Sequence, residues 1–175
     1  NPQAATYAAA GITTDHECTG LDEAHDKLAS GVKILIREGS AARNYAALEP
    51  LLFSHPGSCM FCSDDLHPDA LMDGHINRLV ARAVAAGLPP LTVLRVASVH
   101  PVEHYRLPVG LLREGDPADF LVVRDLQDFA VMQTWLDGRL VAENGVSLLA
   151  RREPRLINSF VVDEIAVETL QIPAV

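Results

Sequence analysis

Ile12-Thr13-Thr14 running into Asp15-His16-Glu17, Val32-Lys33-Ile34-Leu35-Ile36 running into Arg37-Glu38-Gly39-Ser40, and Cys59-Met60-Phe61-Cys62 running into Ser63-Asp64-Asp65 decide how this chain folds. Each apolar run is the length of a short strand, and each polar cluster sits at the end of its run. Helical patterns separate them. Thr19-Gly20-Leu21-Asp22 reads as a capping box, Ala24, Leu28 and Ala29 mark one apolar face, and Gly31 closes that helix. Ala42 to Phe53 reads as the next helix. Strand, polar cluster and helix recur at a spacing of about 25 residues, the rhythm of βα units and a parallel sheet. A parallel barrel presents its catalytic groups at the C-terminal ends of its strands, where these clusters lie.

Working outward, residues 2–10 are Ala-rich between Pro2 and Gly11, the usual polarity of a helix. Two more helices are expected over His75–Ala86 and Leu91–Val99, separated by Gly87 and the Pro89-Pro90 break. After Pro108 the pattern changes. Asp119 to Val123 and Val131 to Trp135 read as strands, and Asp137-Gly138 is a two-residue hairpin signal leading into Leu140-Val141. Residues 151–155 read as a linker, and the tail from Leu156 to Val175 contains strand-like stretches. The expected fold class is α/β: a partial (β/α)8 TIM-type barrel, its last three βα units in residues 1–108, then a small β module in 109–150. Residues 151–175 are expected to be a linker and the start of a further domain. Three βα units cannot close an eight-stranded barrel, so the sheet is open or other strands lie elsewhere.

The chain has 175 residues, 49% apolar and 21% charged, an ordinary soluble globular composition. A formal net charge of −9 argues against nucleic acid or an anionic membrane as partner, and favours a small molecule. No apolar run approaches the length of a membrane span. Cys18, Cys59 and Cys62 are odd in number and give no disulfide framework, which fits a reducing cytoplasm. The chain begins Asn1-Pro2-Gln3 and reads as an excised piece of a longer protein.

The residue types point to hydrolysis at a metal-bound water. A divalent metal lowers the pKa of its water, and a carboxylate on or beside it accepts the proton. Asp64 suits both jobs, His16 offers a neutral ring nitrogen, and Glu17 could shuttle a proton to the substrate. Asp15, Asp65 and His67 could orient these groups. The competing reading for Glu17 and Asp65 is loop solvation or helix capping. Arg37 and Glu38 offer either an ion pair, with Ser40 as a helix cap, or contacts to a substrate's polar edge. Cys59-x-x-Cys62 invites a zinc or redox reading, but residues three apart in a strand face opposite sides, so both read as buried thiols. His25 and His104 read as surface or packing residues, and His55-Pro56 as a turn.

Gly11 through Thr19 resembles the segment after the sixth barrel strand of the bacterial adenine deaminases, a branch of the amidohydrolase superfamily. The likeness continues through Glu23-Ala24, Lys27-Leu28, Ile36-Arg37-Glu38-Gly39-Ser40-Ala41-Ala42 and Cys62-Ser63-Asp64-Asp65-Leu66-His67-Pro68. It runs on to Gly74-His75-Ile76, Pro117-Ala118-Asp119 and Asn158-Ser159-Phe160. The resemblance implies a (β/α)8 barrel with a two-metal site, converting adenine to hypoxanthine and ammonia. The metal would be divalent, Mn2+ foremost, with Fe2+ and Zn2+ as alternatives. It implies His16 as the sixth-strand ligand, Asp64 as the eighth-strand ligand and proton acceptor, and Glu17 as proton donor to the purine. Glu38 and Asp65 would contact the purine. The family's first-strand H-x-H pair, bridging carboxylate and fifth-strand histidine are missing from this sequence. The chain alone is therefore expected to bind metal poorly, to lack deaminase activity, and to self-associate as a homo-oligomer over its uncovered surfaces. Another amidohydrolase acting on a cyclic amide or amino-heterocycle, or a non-catalytic ligand-binding domain, are the alternatives.

Overall fold

Seven strands in two sheets organise the computed structural model, which describes residues 2–153 and 157–171. The first sheet is parallel, in the order β1-β2-β3, built from β1 (Thr14–Asp15), β2 (Lys33–Arg37) and β3 (Cys59–Cys62). Its register pairs Asp15 with Ile34, Ile36 with Phe61, and Arg37 with Cys62. Parallel strands need helical crossovers. Helix α1 (Pro2–Ala9) leads into β1, α2 (Leu21–Ala29) joins β1 to β2, and α3 (Tyr45–Ser54) joins β2 to β3. Helix α2 carries an i,i+4 pair, Glu23 with Lys27 at 2.7 Å, and ends at Gly31, whose φ of +83° an L side chain rarely adopts. Its entry differs from the expected capping box. Gly20 occupies the cap, and the Glu23 carboxylate reaches back to the N–H of Thr19 at 3.2 Å.

Alternation in β2 sends Ile34 and Ile36 into the core, where they meet Cys59 and Phe61 of β3 and Leu48, Leu51 and Leu52 of α3. Helices α4 (Pro68–Asp73), α5 (Ile76–Ala85) and α6 (Pro90–Leu94) follow β3, with Leu79, Val80 and Ala83 of α5 buried in the same core. The helix expected to stop at Val99 continues through a π turn (Arg95–Val99) into α7 (His100–Tyr105). Pro101 lies in the first turn of α7 and supplies no N–H. The widened π turn takes up the mismatch and lets the helix run on.

The second sheet is antiparallel in the order β4-β5-β6-β7: β4 (Phe120–Val123), β5 (Val131–Leu136), β6 (Arg139–Glu143) and β7 (Val146–Ser147). Asp137 and Gly138 both have positive φ, 48° and 71°, between paired Leu136 and Arg139, as a type I′ turn requires. Asn144-Gly145 makes a second hairpin on the same chemistry, one not expected from the sequence. Phe120 and Trp135, directly opposed, stack at 5.5 Å. Phe129, 2% exposed, inserts into the core of the parallel layer, and its carbonyl accepts from Asn77 Nδ2 at 3.2 Å. The tail departs from expectation. Residues 157–171 contain one 3-10 turn (Val167–Leu170) and no strand, and Phe160, Val161 and Val162 are exposed. A strand needs a neighbour to bond, and none runs beside this segment among the described residues. Part of the expected linker, Pro154 and Arg155, falls outside the described residues.

Asp119 fastens the approach to the second sheet. Its carboxylate accepts from the N–H of Gly110 at 3.0 Å and of Asp137 at 2.7 Å. Gly110 itself lies so close to the Pro117 carbonyl that no side chain fits there. The two backbone donors, Asp137 first, hold the Asp119 carboxyl below its ordinary range. A depressed folded pKa gives stability that is present above the unfolded carboxylate value and lost as pH falls through the folded one. Urea unfolding between about pH 5 and pH 2 should show that loss in the parent chain and a shallower acid limb in Asp119→Asn. Identical pH slopes would refute the anchoring role.

Candidate active site

The parallel sheet brings three chain segments to one rim. At the end of β1, the Asp15 carboxylate accepts from the N–H of Glu17 at 2.8 Å and of Cys18 at 3.0 Å, winding residues 15–18 into a tight turn. Lys27 holds its other oxygen at 2.7 Å. Burial alone would raise the Asp15 carboxyl, but the Lys27 ammonium and the Glu17 N–H outweigh it and keep it below its usual range. Asp15 thus shapes the turn that carries His16 and Glu17.

At the end of β2, Arg37 turns its side chain along the rim. It donates to both Glu17 oxygens, at 3.0 and 2.8 Å, and to Asp64 Oδ2 at 2.6 Å. Only 8% of Arg37 is exposed. Its bonds to Glu17 first, and the charge of Asp64, raise its already high pKa despite burial. Asp64 lies two residues past β3, in the left-handed region at φ 52°, a conformation that aspartate tolerates better than most residues. His16 Nε2 is 3.3 Å from Glu17 Oε1. His16, Glu17, Arg37 and Asp64 therefore form one connected cluster. The ion-pair reading of Arg37 holds, but its partners are Glu17 and Asp64.

Asn44 braces the cluster from beneath. Its Oδ1 accepts from the Arg37 N–H at 2.8 Å, while its Nδ2 donates to the His16 carbonyl at 3.2 Å and the Cys18 carbonyl at 3.1 Å. An Asn just before a helix reads as an N-cap, yet this side chain makes no cap bond to α3. No role for Asn44 or Lys27 was expected from the sequence. A polar residue at a helix entry was the available signal, and the choice between capping and cross-bracing depends on tertiary contact.

The other expected residues stand apart. Glu38 pairs with Arg82 at 2.6 Å, and the Arg82 guanidinium lies 3.9 Å from the Tyr45 ring centroid. Glu38, Ser40, Ser63 and His75 face a cleft of about 490 Å³ beside the cluster. Asp65 is exposed, and its contact is through the main chain, whose carbonyl accepts from Ser40 N–H at 2.9 Å. Ser40 Oγ accepts from the N–H of His67 at 2.9 Å, so it ties two loops together instead of capping a helix. Cys59 is buried as expected but Cys62 only partly so, and burial pushes their thiols up to about 12 and about 11. Thiols that stay protonated at neutral pH are poor metal ligands and nucleophiles.

His16 and Asp64 are of the right donor type for a divalent metal. Among the described residues, however, no group of three His, Cys, Asp or Glu side chains converges, so these residues do not complete a metal site by themselves. No helix among them is long and apolar enough to cross a membrane.

Residues 3–141 match the Amidohydrolase family. The chain belongs to this family. Among curated relatives, an adenine deaminase of Salinibacter ruber is 54% identical over 170 residues, covering 97% of this chain and 31% of the relative. An adenine deaminase of a Sulfurovum species is 57% identical over 143 residues, covering 82% of this chain and 27% of its own. The chain thus spans about a third of the length of the curated amidohydrolases it matches. A solved β-aspartyl dipeptidase from Fervidobacterium islandicum superposes with a TM-score of 0.59 at 18% identity, over 75% of this chain and 37% of that one. That likeness shows a shared α/β fold.

Replacing Asn44 with Ala would strip partners from the Arg37 N–H and from the His16 and Cys18 carbonyls. With Asn44 5% exposed, we expect a loss of about 2–4 kcal/mol in urea unfolding. A loss under about 0.5 kcal/mol would show that water replaces the brace without cost.

Proposed function

We propose that the protein of which this chain is part hydrolyses adenine to hypoxanthine and ammonia. The single observation behind this reading is the 54% identity to an adenine deaminase over 170 residues, 97% of this chain. In this reading β1, β2 and β3 correspond to the sixth, seventh and eighth strands of a (β/α)8 barrel. A bound divalent metal, Mn2+ foremost, would supply an activated water.

His16 and Asp64 are the residues of this chain that would hold the metal, with further donors from parts of the relatives that this chain does not span. Asp64 accepts the proton given up during attack at the purine C6. Glu17, exposed beside it, donates to the ring as that carbon becomes tetrahedral. Glu38 and Asp65 meet the polar edge of the base, Glu38 from the wall of the adjoining cleft. A small molecule suits a chain of net charge −9, and unpaired cysteines suit the cytoplasm.

Steady-state assay of the full-length protein with manganese, beside its Asp64→Asn variant, tests this reading. Hypoxanthine should form with the parent, and turnover should fall at least about a hundredfold in the variant. A parent that binds metal and leaves adenine untouched would shift the reading to another amino-heterocycle or a cyclic amide, because the pocket selects the substrate.

The chain alone is proposed to self-associate. β1 and β3 each pair on one side only in their sheet, and Leu121 and Leu149 are more than half exposed. Light scattering should report an assembly. A monodisperse monomer with cooperative unfolding would sink the idea.

A further inference from the structure

We propose that Arg37 is the positioning residue of this rim, a cationic strut that sets Glu17 against Asp64 and fixes the span across which the two carboxylates act. The inference rests on the assignment of the proton transfers to Glu17 and Asp64 made above, and adds a residue that the assignment does not contain.

Arg37 ends the central strand of the parallel sheet, so its side chain is flanked by both neighbouring segments. The guanidinium is a rigid planar fork. Its two terminal nitrogens meet the two oxygens of Glu17, at 3.0 and 2.8 Å, and one of them also reaches Asp64 Oδ2 at 2.6 Å. One rigid group therefore determines where both carboxylates stand.

Two features separate this from an ordinary surface ion pair. The arginine side chain is only 10% exposed, and its backbone N–H is fastened to Asn44, so the strut springs from a braced position. Glu17, by contrast, has a side chain 66% exposed, and among the described residues its other close partner is His16 Nε2 at 3.3 Å. The arginine supplies the order that packing does not give Glu17. A lysine would bring a point charge with no fork, and would not reproduce two parallel bonds to one carboxylate. Among the described residues the Arg37 guanidinium bonds Glu17 and Asp64, while the Glu38 carboxylate, assigned to the base, pairs with Arg82. Loss of the strut should therefore appear in kcat and leave KM almost unchanged.

The test uses the full-length protein with metal and adenine. Arg37→Gln should lower kcat about a hundredfold, with KM within about threefold and metal content equal to that of the parent. Arg37→Lys should stay closer to Arg37→Gln than to the parent. Added guanidinium ion should restore the Arg37→Ala variant at least about tenfold, a rescue that a purely structural role would not show. The proposal is overturned by a kcat within about threefold of the parent, by a loss that guanidinium leaves untouched, or by a loss that follows metal content or folded fraction. Asp64→Asn separates the two ideas. If it retains turnover, the assignment of proton transfer to Asp64 fails, and the strut with it. If it is inactive while Arg37→Gln is active, only the strut fails. A crystal structure of Arg37→Gln reads the geometry whether or not adenine turns over, and a Glu17 carboxylate left in its parent position overturns the proposal.

Discussion

A buried guanidinium at the end of a central parallel strand is the interaction on which the rest of this rim depends. Parallel pairing puts the C-terminal ends of β1, β2 and β3 on the same side, about 4.8 Å apart. Whatever follows each strand must share that edge. Here all three segments bring carboxylates, Glu17 after β1, Glu38 after β2, and Asp64 and Asp65 after β3. Like charges gathered at one edge repel, and proteins relieve this by neutralising one group or by placing a cation between them. The middle strand is the only one with access to both flanks. A cation at its end serves two anions, whereas a cation on either outer strand would serve one.

The energetics of that arrangement differ from those of a buried salt bridge. Glu17 is two-thirds exposed and Asp64 about one-quarter exposed at the side chain, so water screens both. Their pairing adds little to stability, about 0–1 kcal/mol for pairs of this kind. Fixed geometry is the more substantial result, and it is built from bonds that lie largely out of solvent. Asn44 ties the β2 backbone to the turn carrying His16, and the Asp15 carboxylate ties that turn to itself and to Lys27. The charged groups that face solvent are thus placed by polar groups that do not.

Local pattern in the sequence located the elements and the clusters, but not the contacts between clusters. Cys59–Cys62 was legible to the residue because apolar runs, β-forming residues and the polar cluster after it coincide. The Asp137-Gly138 turn was legible because few dipeptides accept two positive φ angles. The continuation of the last helix past Pro101 was not, since a π turn is not written in any short-range signal. Nor was the coupling of Glu17, Arg37 and Asp64, which lie 20 and 27 residues apart. A charge before a turn reads equally well as solvated, capping or paired until the sheet order is known. The resemblance in the rim segments named the family, yet it was silent on Asn44, whose role is visible only when β2 and the β1 loop are seen side by side.

Register joins the apolar core to the charged rim. In β2, Ile34 and Ile36 lie on the core-facing side, and Lys33, Leu35 and Arg37 on the other. A slip of one residue would turn Ile34 and Ile36 out of the core and swing Arg37 away from both carboxylates at once. The apolar pairs Ile34 with Cys59 and Ile36 with Phe61 resist that slip far more strongly than the screened ion pairs could. Burying two isoleucines is worth several kcal/mol, each about 1.5–3. The strand is therefore set by its greasy face, and the arginine arrives at its place between Glu17 and Asp64 as a consequence. Substitutions inside β2 should for that reason disturb the rim even where they touch none of its charged groups.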